Sequence, residues 1–241
     1  MKILLTGKNG QVGFELNSSL PKLGKILAVG RKDCNLNDVD SLRDLIHNYR
    51  PNIIINAAAY TEVDKAEKEN TLARAINEVA PRILAEEAQK LGSFLIHFST
   101  DYVFDGLKQK AYVEEDLPKP INIYGATKLA GELAVQNHCN QYLILRTSWV
   151  VGSHGNNFIK KILDFALSHD KLNIVNDQFG SPTSAKLLSD LTCVLIERYM
   201  REGKNFPFGL YHLSATGKTN WHQYACHVIS RARILKKKIK V

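Results

Sequence analysis

The stretch Gly7-Lys8-Asn9-Gly10-Gln11-Val12-Gly13 follows the apolar run Lys2–Thr6 directly and opens an amphipathic segment, residues 11–20. Glycines at this spacing let the backbone turn tightly and approach a pyrophosphate, and the helix N-terminus behind them offers free N–H groups to phosphate oxygens. The spacing G-x-x-G-x-x-G differs from the G-x-G-x-x-G of the commonest dehydrogenases. Between a strand and a helix, it nevertheless predicts a dinucleotide-binding turn.

Beyond this turn, short apolar runs alternate with segments of helical periodicity. We predict further strands at Lys25–Val29, 53–55, 94–98 and 142–145, and helices over 71–91, over 124–138 and from an N-cap at Asp38 to about residue 47. This β-α-β repetition predicts a Rossmann-type, doubly wound α/β fold, with a parallel sheet covered by helices on both faces. We assign residues 1–148 to an NADP-binding Rossmann domain.

The remainder of the chain, residues 149–241, has longer loops between predicted helices at Phe158–Ser168, 185–200 and 221–232. Ligands of doubly wound folds bind beyond the carboxyl ends of the strands. These loops would form the second wall of that cleft. We therefore predict a smaller, mainly substrate-binding region, with some segments returning to the core.

Composition excludes several classes of protein. No apolar run approaches the ~18 residues of a membrane span, and the first run is too short for a secretory signal, so a cytoplasmic protein without a membrane partner is expected. Four scattered cysteines predict reduced thiols. Residues 231–241 carry most of the net charge of +8. That basic end could bind nucleic acid or anionic lipid, but no aromatic residues interleave with it, which favours a solvated end and no nucleic-acid partner.

The end of the second predicted strand bears on the choice of cofactor. A carboxylate there binds the ribose 2′-OH of NAD, whereas a base accommodates the 2′-phosphate of NADP. Arg31 follows the strand closely and favours NADPH, while Asp33 leaves room for NADH. Two exposed loop bases without a role are the simpler alternative.

Tyr124 and Lys128 are four residues apart, which places both side chains on one face of a helix. A nearby ammonium favours the phenolate and lowers the pKa of a tyrosine, so Tyr124 is a candidate proton donor to a carbonyl oxygen. One such pair is expected by chance. Thr100, at the end of the fourth strand, would hydrogen-bond the same carbonyl, although a Ser/Thr turn leaving a strand is common.

Longer stretches of the sequence resemble the extended short-chain dehydrogenase/reductase superfamily and, within it, the family of dTDP-4-dehydrorhamnose reductases. They cover most of the chain in the family's order. The stretches are Gly-Lys-Asn-Gly-Gln-Val-Gly from Gly7, Asn-Ala-Ala-Ala-Tyr-Thr from Asn56, Val-Asp-Lys-Ala-Glu from Val63, Ser-Thr-Asp-Tyr-Val-Phe-Asp-Gly from Ser99, Tyr-Gly-Ala-Thr-Lys-Leu-Ala-Gly-Glu from Tyr124, Arg-Thr-Ser-Trp-Val from Arg146 and Asn-Asp-Gln-Phe-Gly-Ser-Pro-Thr from Asn176.

This resemblance implies NADPH-dependent reduction of the 4-keto group of dTDP-4-dehydro-L-rhamnose, the last step of dTDP-L-rhamnose synthesis. It assigns catalytic roles to Thr100, Tyr124 and Lys128. The cofactor would contact the glycine turn, Arg31, the following strand end and the catalytic pair, namely Gly7, Gly10, Gln11, Val12, Gly13, Arg31, Ala57, Ala58, Ala59, Tyr124 and Lys128. The nucleotide sugar would contact Val63, Asp64, Ser99, Thr100 and Trp149. On sequence alone, Trp149 is almost as well explained as a core residue.

The sequence departs from the family at several positions. Asn35 stands where an aspartate is usual, and Val151 where an aromatic residue is usual. Some family members form a homodimer bridged by a divalent metal, so the resemblance allows a homodimer for this chain. Here Glu15 is a candidate ligand for Mg²⁺, but Lys186 stands where an acid is expected, so we predict no metal site. The family continues into a segment with an Arg-Pro motif, which this sequence lacks, so a C-terminally shortened substrate domain is expected.

Two other functions remain open on these residues. A sugar-nucleotide epimerase or dehydratase of the same superfamily would retain a tightly bound NAD, and dehydratases use acids beside the hydroxyl, where Asp101 follows Thr100. A non-catalytic NADP-binding regulatory subunit would keep the fold without the activity. The intact set of Thr100, Tyr124 and Lys128 favours the reductase over this last alternative.

Overall fold

The computed structural model describes residues 1–235 and 239, so the basic run at Lys236, Lys237, Lys238 and Lys240 lies outside the described residues. The strands are β1 (Lys2–Thr6), β2 (Lys25–Val29), β3 (Ile53–Asn56), β4 (Phe94–Thr100), β5 (Tyr142–Thr147), β6 (Val150–Val151), β7 (Phe179–Gly180), β8 (Thr183–Ser184), β9 (Gly209–His212) and β10 (Thr219–Asn220). The α-helices are α1 (Gln11–Ser19), α2 (Val39–Tyr49), α3 (Val63–Ala66), α4 (Asn70–Arg74), α5 (Ala80–Leu91), α6 (Ile123–His138), α7 (Phe158–Ser168), α8 (Ala185–Glu202) and α9 (Trp221–Ile234).

The central sheet is parallel and has the order β2-β1-β3-β4-β5-β9. The order reverses between β1 and β3, because the chain runs outward from β1 to β2 and then returns across β1 to β3. A reversal of this kind leaves a crevice at the carboxyl ends of the two strands, where doubly wound proteins bind their ligands. The predicted Rossmann-type fold is confirmed.

Apolar side chains fill both faces of this sheet. On one face, α2, α5 and α6 bury residues such as Leu42, Ile83 and Val135. On the other, α1 and α8 bury Leu16 and Leu188 against the strands. A third, smaller cluster joins α7 to α9 around Ile162, Ala225 and Val228. The late helices therefore divide: α8 covers the sheet, whereas α7 and α9 pack against each other.

Most predicted elements agree with the structure to within two residues at each end. Asp38 caps α2 as expected, accepting a hydrogen bond from the backbone N–H of Ser41 at 3.0 Å. Sequence reasoning missed α3 and the sixth strand of the sheet, β9, which has only four residues. In the part of the chain that the structure describes, we find no helix with the length and apolar character needed to cross a membrane.

The predicted helix over 71–91 is interrupted. Its middle, Ala75–Val79, forms a π-helical turn between α4 and α5. Pro81 explains part of this departure, since it has no N–H to donate to the carbonyl of Asn77 one turn before. The wider turn directs the Asn77 side chain inward, where its amide accepts from the backbone N–H of Tyr60 at 2.8 Å and donates to the Thr127 hydroxyl at 3.2 Å. The turn thus ties α6 to the loop that follows β3.

Gly131 of α6 lies directly against this π turn, and a Cβ there would overlap the carbonyl oxygen of Asn77. Helix propensity alone favours alanine over glycine by about 1 kcal/mol. We nevertheless expect Gly131→Ala to lower the free energy of unfolding by about 3 kcal/mol, because the backbone on both sides must move. Urea denaturation followed by circular dichroism measures this.

Gly92→Ala is the matched control. Gly92 has a φ of +65°, and a methyl group there would enter open space with no atom within 4 Å, so only backbone strain of about 1 kcal/mol is expected. If the Gly131→Ala protein had the same free energy of unfolding as the parent, the close contact between α6 and the π turn would not contribute to stability.

Candidate functional site

A cleft of about 700 Å³ opens at the carboxyl ends of the strands. The glycine turn after β1 and the segment after β3 form one end of it. The end of β4 and the first turn of α6 form the floor. The wall opposite comes from the region after β5, including Trp149, Gly155 and Trp221. The cleft thus joins the predicted Rossmann domain to the predicted substrate-binding region.

The glycine turn leaves no room for a side chain at Gly7 or Gly13. A Cβ on Gly7, whose φ is +79°, would lie 2.7–2.8 Å from backbone atoms of Ala57 and Ala58. Gly13 does not line the cleft, but a Cβ there would overlap the carbonyl of Gly7, so it lets α1 pack against the turn. Gly10 caps α1 without a side-chain hydrogen bond. The first amides of α1 therefore remain available for phosphate oxygens, and this cradle fits a dinucleotide.

Arg31 and Asp33 are placed differently at the end of β2. Arg31 lines the cleft. The Asp33 carboxylate instead accepts from the backbone N–H of Gly30 at 2.8 Å and pairs with Lys8 at 2.8 Å. The hydrogen bond from Lys8 is the main cause of its lowered pKa. The Asp33 carboxylate, which was expected to allow NADH, thus has its partners within the protein, whereas Arg31 is the residue that lines the cleft.

Tyr124 and Lys128 lie on the face of α6 that closes the cleft floor, and both are buried. Asn122 begins the helix by accepting from the backbone N–H of Gly125 at 2.7 Å. The Lys128 ammonium donates to the carbonyl of Phe98 at 2.7 Å, and burial lowers its pKa to about 8.

The expected lowering of the Tyr124 pKa is wrong for this structure. Burial raises it, and a hydrogen bond with the Thr100 hydroxyl opposes the rise only in part. The physical reason is that desolvation disfavours the phenolate more strongly than any nearby group stabilises it. Tyr124 therefore holds its proton at neutral pH, which is the form that a proton donor requires.

Thr100 ends β4 and begins a 3₁₀ turn, Asp101–Val103, by accepting from the backbone N–H of Tyr102 at 3.2 Å. Its hydroxyl also donates to the carboxyl of Asp101 at 3.2 Å. Burial raises the pKa of Asp101 to about 6, although hydrogen bonds from Thr100 and nearby backbone oppose the rise. A hydroxyl, a phenol and a carboxyl thus meet at one point of the cleft.

Ser99 lines the cleft, but its hydroxyl donates to the buried carboxylate of Glu132. Arg146 completes this group with two hydrogen bonds to Glu132, at 2.9 and 2.7 Å. A buried carboxylate is costly unless it is paired and hydrogen-bonded, and here it is both. The Ser99 side chain is therefore held by the protein interior, rather than directed at a ligand.

Trp149 lies on the opposite wall in an unusual conformation, with φ at +46°. Its indole stacks on that of Trp221, with centroids 3.4 Å apart and planes 8° from parallel. Gly180 is required beside it, since a Cβ there would overlap the Trp149 ring. A bulky residue in the left-handed region is strained, and such strain is concentrated at functional sites. Both stacked indoles line the same cleft as the catalytic groups.

Besides Gly13, two predicted residues stand apart from the cleft. Val63 lines it, whereas Asp64, the next residue, is exposed and does not. Glu15 is outside the cleft as well, and its charge acts on Lys186, whose ammonium pairs with Asp190. Among residues 1–235 and 239, no group of three or more His, Cys, Asp or Glu side chains is arranged to hold a metal ion.

The other predicted site residues converge on this one cleft. These are Gly7, Gly10, Gln11, Val12, Arg31, Ala57, Ala58, Ala59, Val63, Ser99, Thr100, Tyr124, Lys128 and Trp149. The Gln11 side chain is directed to the opposite wall, donating to the carbonyl of Val150 at 3.2 Å and accepting from Asn157 at 3.0 Å. Sequence reasoning missed Trp221, because nothing near it in the chain marks it as a partner of Trp149.

Comparison with known proteins supports a single family. A model described as the RmlD substrate binding domain matches residues 1–241. The chain is 44% identical over 239 residues to dTDP-4-dehydrorhamnose reductase of Shigella flexneri, covering 97% of this chain and 79% of that protein. The enzyme of the same name from Escherichia coli K12 is also 44% identical, with the same coverage.

Solved structures agree with this likeness. The dTDP-4-dehydrorhamnose reductase of Bacillus anthracis, in complex with NADP, superposes with a TM-score of 0.90 at 39% identity, covering 96% of this chain and 80% of that one. The Clostridium acetobutylicum orthologue gives 0.91 at 35% identity, covering 97% and 81%. UDP-glucose 4-epimerase of Thermus thermophilus, in complex with NAD, gives 0.78 at 17% identity, covering 97% and 84%, a likeness of fold alone.

The raised pKa of Asp101 predicts a pH dependence of stability. An unfolded aspartate ionises near 3.8, whereas this one ionises near 6 in the folded protein. Folding stability therefore falls as the pH rises from about 4 to about 6, since the folded state holds the proton longer. We expect Asp101→Asn to be more stable relative to the parent at pH 7 than at pH 4, by about 2 kcal/mol. Urea denaturation at both pH values tests this, and a difference independent of pH would contradict it.

Proposed function

The chain belongs to the RmlD substrate-binding-domain family, and on that premise we propose that it reduces the 4-keto group of dTDP-4-dehydro-L-rhamnose to give dTDP-L-rhamnose. The observation that carries this proposal is the meeting of Thr100, Tyr124 and Lys128 on the floor of a cleft whose other end is a dinucleotide cradle. A carbonyl placed over Tyr124 would be within reach of both a proton donor and a bound nicotinamide.

We propose NADPH as the preferred cofactor, which when bound supplies hydride to the carbonyl carbon. The glycine turn and the first amides of α1 would hold its pyrophosphate. Arg31 would pair with the 2′-phosphate, and the engagement of Asp33 by Lys8 and Gly30 removes the carboxylate that would repel that group. Ala57, Ala58 and Ala59 leave the space that the cofactor needs across the end of β3.

Three side chains would then act on the carbonyl oxygen. Tyr124 gives its proton to that oxygen as the carbon is reduced, and its raised pKa keeps the proton in place until then. Thr100 donates a hydrogen bond to the developing negative charge. Lys128 holds a positive charge close to the phenolate that remains. Trp149 and Trp221 would cover the sugar face and help exclude water.

An epimerase or dehydratase would use the same fold and retain its cofactor through the cycle. The observation that supports this alternative is the carboxyl group of Asp101, which accepts a hydrogen bond from the Thr100 hydroxyl. Stoichiometric release of oxidised cofactor distinguishes the reductase from it. Binding of NADPH without turnover of the ketosugar would instead support a regulatory subunit.

Tyr124→Phe tests the proton donor. The phenyl ring keeps the packing of α6 but has no proton to give, so we expect kcat for NADPH oxidation with dTDP-4-dehydro-L-rhamnose to fall by about 10²- to 10⁴-fold. NADPH affinity, measured by fluorescence titration, should stay close to that of the parent. Tyr142→Phe, at the amino end of β5, is the matched control and should retain activity. Full turnover by Tyr124→Phe would refute the assignment.

Arg31→Ala tests the cofactor preference. Loss of a charged hydrogen bond to the 2′-phosphate should raise KM for NADPH by roughly 10- to 100-fold and leave KM for NADH nearly unchanged. Lys32→Ala removes a neighbouring charge that does not line the cleft, and should change neither constant. If Arg31→Ala raised KM equally for NADPH and NADH, Arg31 would not bind the 2′-phosphate.

A further inference from the structure

A chain of buried polar groups runs beneath the catalytic floor. The Thr6 hydroxyl donates to Asn56 Oδ1 at 2.7 Å, Asn56 Nδ2 contacts His97 Nδ1 at 3.0 Å, and His97 Nε2 lies 3.4 Å from Lys128 Nζ. All four side chains are at most 1% exposed. A buried histidine in contact with the lysine of the site has no role in the chemistry described so far.

The backbone fixes the direction of this chain. The N–H of Ala58 donates to Asn56 Oδ1 at 3.3 Å, and a backbone amide can only donate. Oδ1 is therefore turned towards Ala58 and Thr6, and Nδ2 towards His97. Since Nδ2 donates, His97 Nδ1 must carry a lone pair. A neutral imidazole then carries its proton on Nε2, the nitrogen that faces Lys128.

His97 is also kept neutral. Burial, together with the charge of Lys128, holds its pKa well below the usual range. The Nε2–H group therefore points at Lys128 as a donor. Facing an ammonium, it would have no acceptor, whereas facing a neutral amine it would find a lone pair.

We propose that His97, in the tautomer protonated on Nε2, is a positioning residue that favours loss of a proton from the Lys128 ammonium, because its N–H can donate to the amine that is left. The same contact turns the N–H bonds of Lys128 away from β4, apart from the one given to the carbonyl of Phe98. The second N–H bond of the amine is then directed towards the cleft. His97 thus makes it easier for Lys128 to lose a proton, and it sets the direction of the N–H bonds that the lysine keeps.

The other charged groups around Lys128 are consistent with this role. Glu132, one turn further along α6, favours the ammonium, but its carboxylate is paired with Arg146 and accepts from Ser99. Tyr124, one turn before, is neutral at the pH of interest. Burial outweighs Glu132, and the lowered pKa of Lys128 agrees with a site that tolerates the amine.

The consequence for the reaction rests on the proposed function. After Tyr124 gives its O–H proton to the substrate oxygen, the Lys128 ammonium gives one proton to the phenolate, which restores the phenol and leaves a neutral amine. The electron pair left on Lys128 accepts from His97 Nε2–H until water returns a proton. The tautomer of His97 itself does not depend on which substrate is reduced.

Nitrogen-15 NMR of the histidine-labelled protein tests the tautomer directly, with His97→Gln used to assign the signal. We expect Nε2 protonated and Nδ1 unprotonated across neutral pH. A spectrum with the proton on Nδ1, or a charged ring at pH 7, would overturn the proposal whether or not the protein reduces any ketosugar.

Asn56→Asp tests the coupling to Lys128. A carboxylate at this position accepts from Ala58 and Thr6 and also from His97, so the histidine proton should move to Nδ1 and leave Nε2 as an acceptor for the ammonium. The Lys128 titration, followed by the chemical shift of its ¹³Cε, should then move up by about one pH unit or more. Asn52→Asp, just before β3 at the opposite end of the strand, is the matched control and should move neither signal.

The two signals must change together. If the Lys128 titration midpoint rises while His97 stays protonated on Nε2, the rise is caused by the added carboxylate charge. If the His97 proton moves to Nδ1 and the Lys128 midpoint does not change, the contact between His97 and Lys128 has no effect on the lysine pKa. Either result would overturn the proposal. Loss of ketosugar reduction with both signals behaving as expected would count against the proposed function alone.

Discussion

The backbone of Gly7 lies against the backbone of Ala57 and Ala58, with no room for a single carbon atom between them. This contact joins the turn after β1 to the end of β3 at the point where the strand order reverses. It fixes the position of the first turn of α1 relative to the carboxyl end of β3. Because strands β3, β4 and β5 follow in register, it also fixes the distance from the cradle to Thr100 and α6. The sheet thus places the catalytic groups, and this contact places the cofactor cradle on the same sheet.

Much of the fold could be predicted because its signals are local. Apolar runs predicted the first five strands, Asp38 predicted the start of α2, and the glycine spacing predicted the turn after β1. The catalytic floor followed from topology, since parallel strands bring their carboxyl ends to one edge. The two-residue strands and β9 carried no such signal, because they are too short to show an alternating pattern and their pairing partners are distant in sequence.

The parts of the site that depend on orientation could not be predicted. Ser99 and Asp33 have suitable side chains at suitable strand ends, yet Glu132, Lys8 and the Gly30 amide engage them. The spacing of Tyr124 and Lys128 indicates a shared helix face but not how deeply that face is buried, and burial decides the pKa of the phenol. The contact of His97 with Lys128 could not be predicted for the same reason, since a histidine within a strand is not distinguished by sequence from other polar residues in a core. Expectations about the dimer, the divalent metal and the cellular compartment stay predictions.

The pairing of β9 with β5 has a consequence for the newborn chain. Residues 148–208 separate the two strands, so ribosomes must add them before β5 can acquire its neighbour. At about 5–20 residues per second, the edge of β5 stays open for several seconds. That edge carries Leu143, Ile144 and Leu145, all almost fully buried in the finished protein. An unpaired apolar edge can pair with a strand of another chain, so the protein is open to aggregation during this interval of its synthesis.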